Sequence, residues 1–221
     1  MDSILDHFDL IQWFETIIVF VVSVTIHEFA HAFTADRLGD NTPRSQGRIS
    51  LNPIDHLDLV GTILMAVSAA TGFGIGWGKP VEYNPGNLKS PRWDPLKIAI
   101  AGPISNMLQA IALASVLRFD DHYGWFMPGS WIYDLISLGV LLNINLAMFN
   151  MIPIPPLDGS KVLSALLPTK HAERYDRVMS QVGLILFFLV ALTGITRYLI
   201  GPPSIWTYTF LIGHQDWEFR F

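Results

Sequence analysis

The sequence predicts an all-α polytopic membrane protein, with about four transmembrane helices and one further re-entrant or short membrane segment. Of its 221 residues, 51% are hydrophobic and only 15% are charged, whereas soluble domains average about 25% charged residues. Five stretches contain no Asp, Glu, Lys or Arg apart from Glu28: 16–35, 59–78, 98–117, 135–157 and 178–196. Each is close to the roughly 20 residues that a helix needs to cross a bilayer.

The five stretches differ in what they predict. We expect the first to stay in the mature protein, because the leader before it carries three aspartates and no basic residue. The second ends in a glycine-rich run, 71–78, which suits a non-helical segment lying against protein or water. A fifth full-length span is the alternative for this stretch. We expect one domain over residues 1–221, with a core at about 10–165 and an added C-terminal transmembrane helix at about 178–200.

Charge placement predicts the orientation. If 59–78 returns to the side from which it entered, 11 of the 14 basic residues fall on one face: Arg37, Arg44, Arg48, Lys79, Lys89, Arg92, Lys97, Lys161, Lys170, Arg174 and Arg177. By the positive-inside rule this face is cytoplasmic, and the protein is a multi-pass protein of the cell membrane. The segment 79–85 alternates apolar and polar residues between two prolines, which predicts a small interfacial β element.

A metal-binding pattern lies inside the first apolar stretch. His27 and His31 are four residues apart and share one helix face, so both imidazoles can reach one ion, with Glu28 beside them as a candidate general base. The pattern is typical of zinc hydrolases that attack peptide bonds. Chance spacing is the alternative, but an ionisable residue at bilayer depth costs about 2.5 to 3.5 kcal/mol, and three together indicate a shared partner.

The residues leave the third metal ligand open. Nearby candidates are Asp36, Asp55, His56, Asp58 and Glu82. A further candidate is Asp158, which follows a proline-rich segment, 150–157, whose extended backbone can direct a carboxylate back toward the metal. Alternatively, Asp158 only caps the helix that follows it. Zero cysteines exclude thiolate ligands, and a net charge of -5 argues against nucleic-acid partners.

These motifs together resemble the site-2 proteases, a family of intramembrane zinc metalloproteases. The matching elements are His27-Glu28-Phe29-Ala30-His31, Gly102-Pro103-Ile104-Ser105-Asn106, the stretch from Asn150 to Gly159, and the shorter elements 47–53 and 78–81. The resemblance implies one zinc ion held by His27, His31 and Asp158, with Glu28 as catalytic base. It also implies cleavage in or near transmembrane segments of other membrane proteins, by a compact member without a PDZ or nucleotide-sensing domain.

Two amide side chains at membrane depth are ambiguous. Asn106 and Asn150 are candidates for holding a substrate backbone or a carbonyl oxygen. Hydrogen bonding between helices is an equal alternative. Two other functions also stay open, a metal transporter and a non-catalytic membrane adaptor of related fold. The expected partners are the lipid bilayer and a membrane-protein substrate, and the sequence does not indicate an oligomeric state.

Overall fold

The computed structural model describes residues 10–71, 76–127 and 129–213. Its helices are α1 (Leu10–Arg37), α2 (Thr42–Ser45), α3 (Leu59–Thr71), α4 (Trp93–Tyr123), α5 (Trp131–Asn150), α6 (Asp158–Leu166), α7 (Thr169–Leu192) and α8 (Ile195–Ile212). Four of these, α1, α4, α5 and α7, are long and apolar enough to cross a membrane. The prediction of a helical membrane protein with about four spans is confirmed.

Within the described residues, the second apolar stretch contains no helix long enough to cross a bilayer. Helix α3 has 13 residues, a length of about 20 Å, against a hydrocarbon core of about 30 Å. Leu57, before the helix, pairs with Gly78 after it in an isolated β-bridge, and Trp77 donates to Asp58 over 3.1 Å. The two ends therefore lie side by side, as a re-entrant segment requires. The glycine-rich residues 72–75 lie outside the described part of the chain.

The predicted strand at 79–85 is wrong. Within the described residues the structure contains no sheet, and this segment is irregular backbone followed by a short 3-10 turn at Pro85–Asn87. A strand needs a neighbour to complete its ladder, and here side chains bind the backbone instead. The Arg48 side chain donates to the Lys79 carbonyl, and the backbone N–H of Asn84 donates to the Asp40 carboxylate over 2.7 Å.

The predicted C-terminal helix at about 178–200 has different bounds. Helix α7 begins at Thr169 and ends at Leu192, and Gly194 at φ +69° turns the chain into α8. The sequence did not predict α8, because Arg197 and the adjacent prolines at 202 and 203 interrupt its apolar pattern. Prolines are tolerated in a membrane helix where neighbouring helices compensate, and α8 packs against α4 and α5.

The packing places α1, α4 and α5 in direct contact, with α6 against α4. Small residues of α4 allow this close approach, since Ala110 and Ala114 are buried in the main core cluster. At one end of the bundle, Asn87 donates to Asp40 over 2.7 Å, and Arg92 donates to the carbonyl of Ala165 over 2.8 Å. These bonds gather the C-terminal end of α1, the N-terminal end of α4 and helix α6 around one region.

Candidate metal centre

His27 and His31 lie one turn apart on the face of α1 that packs against α4. Both are buried, at 6% and 7% exposure. Their rings meet edge to face with centroids 4.6 Å apart, and the two Nε2 atoms are 3.0 Å apart. The helical spacing therefore brings two nitrogen atoms that can ligate a metal to one point inside the protein.

Asp158 is the third member of this cluster. It is the first residue of α6, and its Oδ2 lies 3.2 Å from His27 Nε2 and 3.3 Å from His31 Nε2. The alternative of a capping aspartate does not apply, because the N-cap residue is Leu157 and no side chain caps this helix. Gly159 lets the start of α6 lie against the preceding segment, since a Cβ there would stand 2.2 Å from the Met151 carbonyl oxygen.

Hydrogen bonds fix the tautomers of both histidines. His27 Nδ1 lies 2.5 Å from Asn106 Oδ1, and His31 Nδ1 lies 2.6 Å from the Ile98 carbonyl oxygen. These oxygens only accept, so each Nδ1 carries the hydrogen and donates it, and in the neutral ring Nε2 then presents a lone pair.

With both rings neutral, three acceptors converge without a donor between them. They are the two Nε2 atoms and Asp158 Oδ2, a buried atom with no hydrogen-bond partner, and all three lie within 4.8 Å of one another. A cation resolves this arrangement, and two imidazoles with one carboxylate are a ligand set that zinc uses in catalytic sites, where a fourth position stays open. The residues present fit a zinc ion.

A buried network of polar side chains holds Asn106, the hydrogen-bond partner of His27, in place. Asn106 donates to Asn143 over 2.8 Å, and Asn143 donates to Ser23 over 2.9 Å, with all three residues at most 2% exposed. These bonds orient the Asn106 amide so that its oxygen faces His27. The sequence signalled Ser23 only by its place four residues before His27 on the same helix face.

Gly102 of α4 faces the Nε2 atoms of the two histidines at close range. A Cβ built on Gly102 would stand 2.4 Å from His31 Nε2 and 2.5 Å from His27 Nε2. Atoms at these distances overlap, so any larger residue displaces the rings or the helix. The absence of a side chain at position 102 is what lets the backbone of α4 lie against the metal cluster.

Glu28 lies beside the cluster and is 9% exposed. Its Oε2 is 3.8 Å from Nη2 of the buried Arg48. A Cβ at Gly78 would stand 3.2 Å from Glu28 Cγ, so the segment after α3 passes close against this side chain. The carboxylate is thus enclosed between α1, a buried cation and the segment that follows α3.

The nearby alternatives for the third ligand engage other partners. The Asp36 carboxylate pairs with Arg44, His56 Nε2 lies 2.7 Å from the Ser50 carbonyl oxygen, the Asp58 carboxylate accepts from Trp77, and the Glu82 carboxylate accepts from Gln46. The bond at Asp55 is made by its backbone carbonyl, which accepts from Arg48, and does not involve its carboxylate. None of the five belongs to the metal-ligating cluster within the described residues.

The two candidate amides have different surroundings. Asn106 is fully buried, and its side-chain amide is hydrogen-bonded to His27 and Asn143. Asn150 is half-buried and donates to the carbonyl of Leu146 in its own helix over 3.0 Å. Their contact with a substrate stays a prediction. Tyr83 is close enough to Asp158 to be affected by its charge: burial first, and then this carboxylate, raise the pKa of the Tyr83 phenol.

The chain is similar to known zinc metalloproteases. The model of Peptidase family M50 matches residues 15–122 and 127–190. The chain is 36% identical to "Putative zinc metalloprotease YwhC" of Bacillus subtilis, over 84% of each chain. It is 27% identical to "Zinc metalloprotease MJ0392" of Methanocaldococcus jannaschii, over 84% of this chain and 44% of that protein. No solved structure matches. The chain therefore belongs to peptidase family M50, the family of the site-2 proteases.

Proposed function

We propose that this protein is a zinc-dependent endopeptidase that hydrolyses peptide bonds in or near transmembrane segments of membrane proteins. The observation that carries the proposal is the convergence of His27, His31 and Asp158 on one point, beside the buried Glu28. Membership of a peptidase family with zinc metalloproteases among the relatives supports it.

In this proposal His27 Nε2, His31 Nε2 and Asp158 Oδ2 hold one zinc ion. When bound, zinc lowers the pKa of a coordinated water to about 7 and polarises the scissile carbonyl. Glu28 is the general base that accepts the proton which the attacking water loses, and it then delivers that proton to the leaving amine. Asn106 and the Ile98 carbonyl keep both imidazoles in the tautomer that presents a lone pair to the metal.

The membrane setting defines the substrate class. His27, Glu28 and His31 belong to a helix long enough to span the bilayer, so the bond to be cut has to reach that depth. A substrate helix has its amides bonded internally and must unwind before its carbonyl is accessible. The bilayer and a membrane-protein substrate are therefore the expected partners, and Asn150, at the end of α5, is a candidate for contact with the unwound chain.

The function is tested by metal analysis and cleavage of a membrane-anchored model substrate by the purified protein. We expect about one zinc ion per chain, cleavage that stops with a chelator, and recovery when zinc is restored. The control substrate carries the same sequence with its transmembrane segment replaced by a soluble one. Zinc flux into vesicles without cleavage would instead indicate a transporter, and neither zinc nor cleavage would indicate an adaptor.

The orientation of the site is a separate prediction. The end of the bundle that carries the metal cluster also carries most basic residues, so it is expected to face the cytoplasm. Single cysteines at Gln46, Lys89 and Thr169, which are exposed positions at this end, should label only from the cytoplasmic side. A cysteine at the exposed Met127 should label only from outside. The native chain has no cysteine and provides the blank; outside labelling at position 89 would refute the orientation.

A further inference from the structure

Arg48 is a buried cation next to the proposed general base. It lies in the loop after α2 and is only 3% exposed. Its Nη1 donates to the Asp55 carbonyl over 2.6 Å, its Nη2 donates to the Lys79 carbonyl, and Nη2 also lies 3.8 Å from Glu28 Oε2. One guanidinium thus joins the catalytic helix to two loops that are distant in sequence.

A buried guanidinium is stable only with compensation, because taking a charge out of water is strongly unfavourable. Burial lowers the pKa of Arg48, and the carboxylates of Glu28, Asp55 and Glu82 oppose this, with Glu28 the strongest. The guanidinium remains charged in proteins. Among the described residues, Glu28 is the only carboxylate within 4 Å of it. The two buried charges therefore compensate each other.

The same guanidinium also fixes the backbone that encloses Glu28. Its bond to Lys79 holds the residue that follows Gly78, and Gly78 packs against Val24 and Glu28 of α1. The Lys79 amide in turn donates to the His56 carbonyl over 2.7 Å. The Glu28 carboxylate has several rotatable bonds, and general-base catalysis depends on holding such a group in place.

We propose that Arg48 is a positioning residue of the hydrolytic reaction, one that holds the Glu28 carboxylate at the metal centre through its charge and through the 78–79 segment. Arg48 is not a metal ligand in this account and acts on the reaction only through Glu28. The proposal rests on the hydrolytic function proposed above.

Enzyme kinetics test this role. In Arg48→Met, which keeps the chain length but loses the charge and the donors, we expect kcat to fall about 100-fold, within the range for general-base catalysis. KM and zinc content should stay within about twofold. Arg48→Lys restores the charge, and its kcat should be about tenfold higher than that of Arg48→Met. The matched control is Arg44→Met: the Arg44 side chain is 64% exposed and pairs with Asp36, so its activity should match the wild type.

Thermal unfolding gives a readout that does not depend on cleavage. Arg48→Met and Glu28→Gln each leave one buried charge without its partner, so the double variant should unfold at a higher temperature than the two single shifts predict together. Arg44→Met combined with Glu28→Gln should be additive.

Two results would overturn the positioning role. One is an unchanged kcat in Arg48→Met. The other is equal inactivity of the Met and Lys variants together with additive unfolding shifts, which would mark Arg48 as a structural residue only. If the wild-type protein cleaves nothing, the proposed function fails, while the unfolding cycle still measures the Arg48–Glu28 coupling.

Discussion

Glu28→Gln is expected to lower kcat about 1,000-fold while the purified protein keeps its zinc. The amide has nearly the shape of the carboxylate but cannot accept a proton from water, and general-base catalysis contributes about 10²- to 10⁴-fold. Glu28 is not one of the three residues whose atoms form the ligand cluster, so the zinc content should not change. His27→Ala removes a ligand atom and should lose both zinc and activity.

The measurements are single-substrate kinetics and zinc analysis on the same preparation. Glu173→Gln is the matched control, because it makes the same chemical change at an exposed position on α7. We expect it to behave as the wild type. Near-normal turnover in Glu28→Gln would mean that another group accepts the proton, and the hydrolytic assignment of Glu28 would be wrong.

Gly102→Ala is expected to weaken zinc binding by about 100-fold or more, although it adds a single methyl group. The new Cβ would overlap His31 Nε2 at 2.4 Å and His27 Nε2 at 2.5 Å. The rings cannot retreat and also keep their bonds to Asn106 and Ile98. Loss of such supporting bonds alone costs about 10- to 100-fold in metal affinity, and here the ligand atoms themselves are displaced.

The matched control for this change is Gly201→Ala in α8, where a Cβ would meet nothing within 4 Å. Alanine is the better helix former by about 1 kcal/mol, so the control should be as stable as the wild type or more stable. Competition with a zinc-binding dye measures both variants. Wild-type affinity in Gly102→Ala would show that α4 does not lie as close to the histidines as the structure places it.

The sequence by itself determined the membrane class and the positions of the two histidines with the neighbouring carboxylate of Glu28. Both follow from local patterns: long apolar stretches have few other stable states, and helical spacing brings His27 and His31 to one face. Local patterns also misled. Alternation between prolines predicted a strand at 79–85 that has no partner in the described residues, and the prolines at 202 and 203 concealed α8.

The family resemblance had indicated Asp158, but only the tertiary structure showed how this carboxylate reaches the cluster and what holds the cluster in place. Asp158 competed with five nearer residues, and its selection required α6 to pack against α4. The acceptor for His31 is a main-chain carbonyl 67 residues away, which no residue type can signal. Gly102 and Arg48 lie within a few ångströms of side chains of α1, although both lie outside the sequence pattern that identified the histidines. Such contacts depend on how helices approach one another, because close packing is a property of paired surfaces and leaves no period in a single segment.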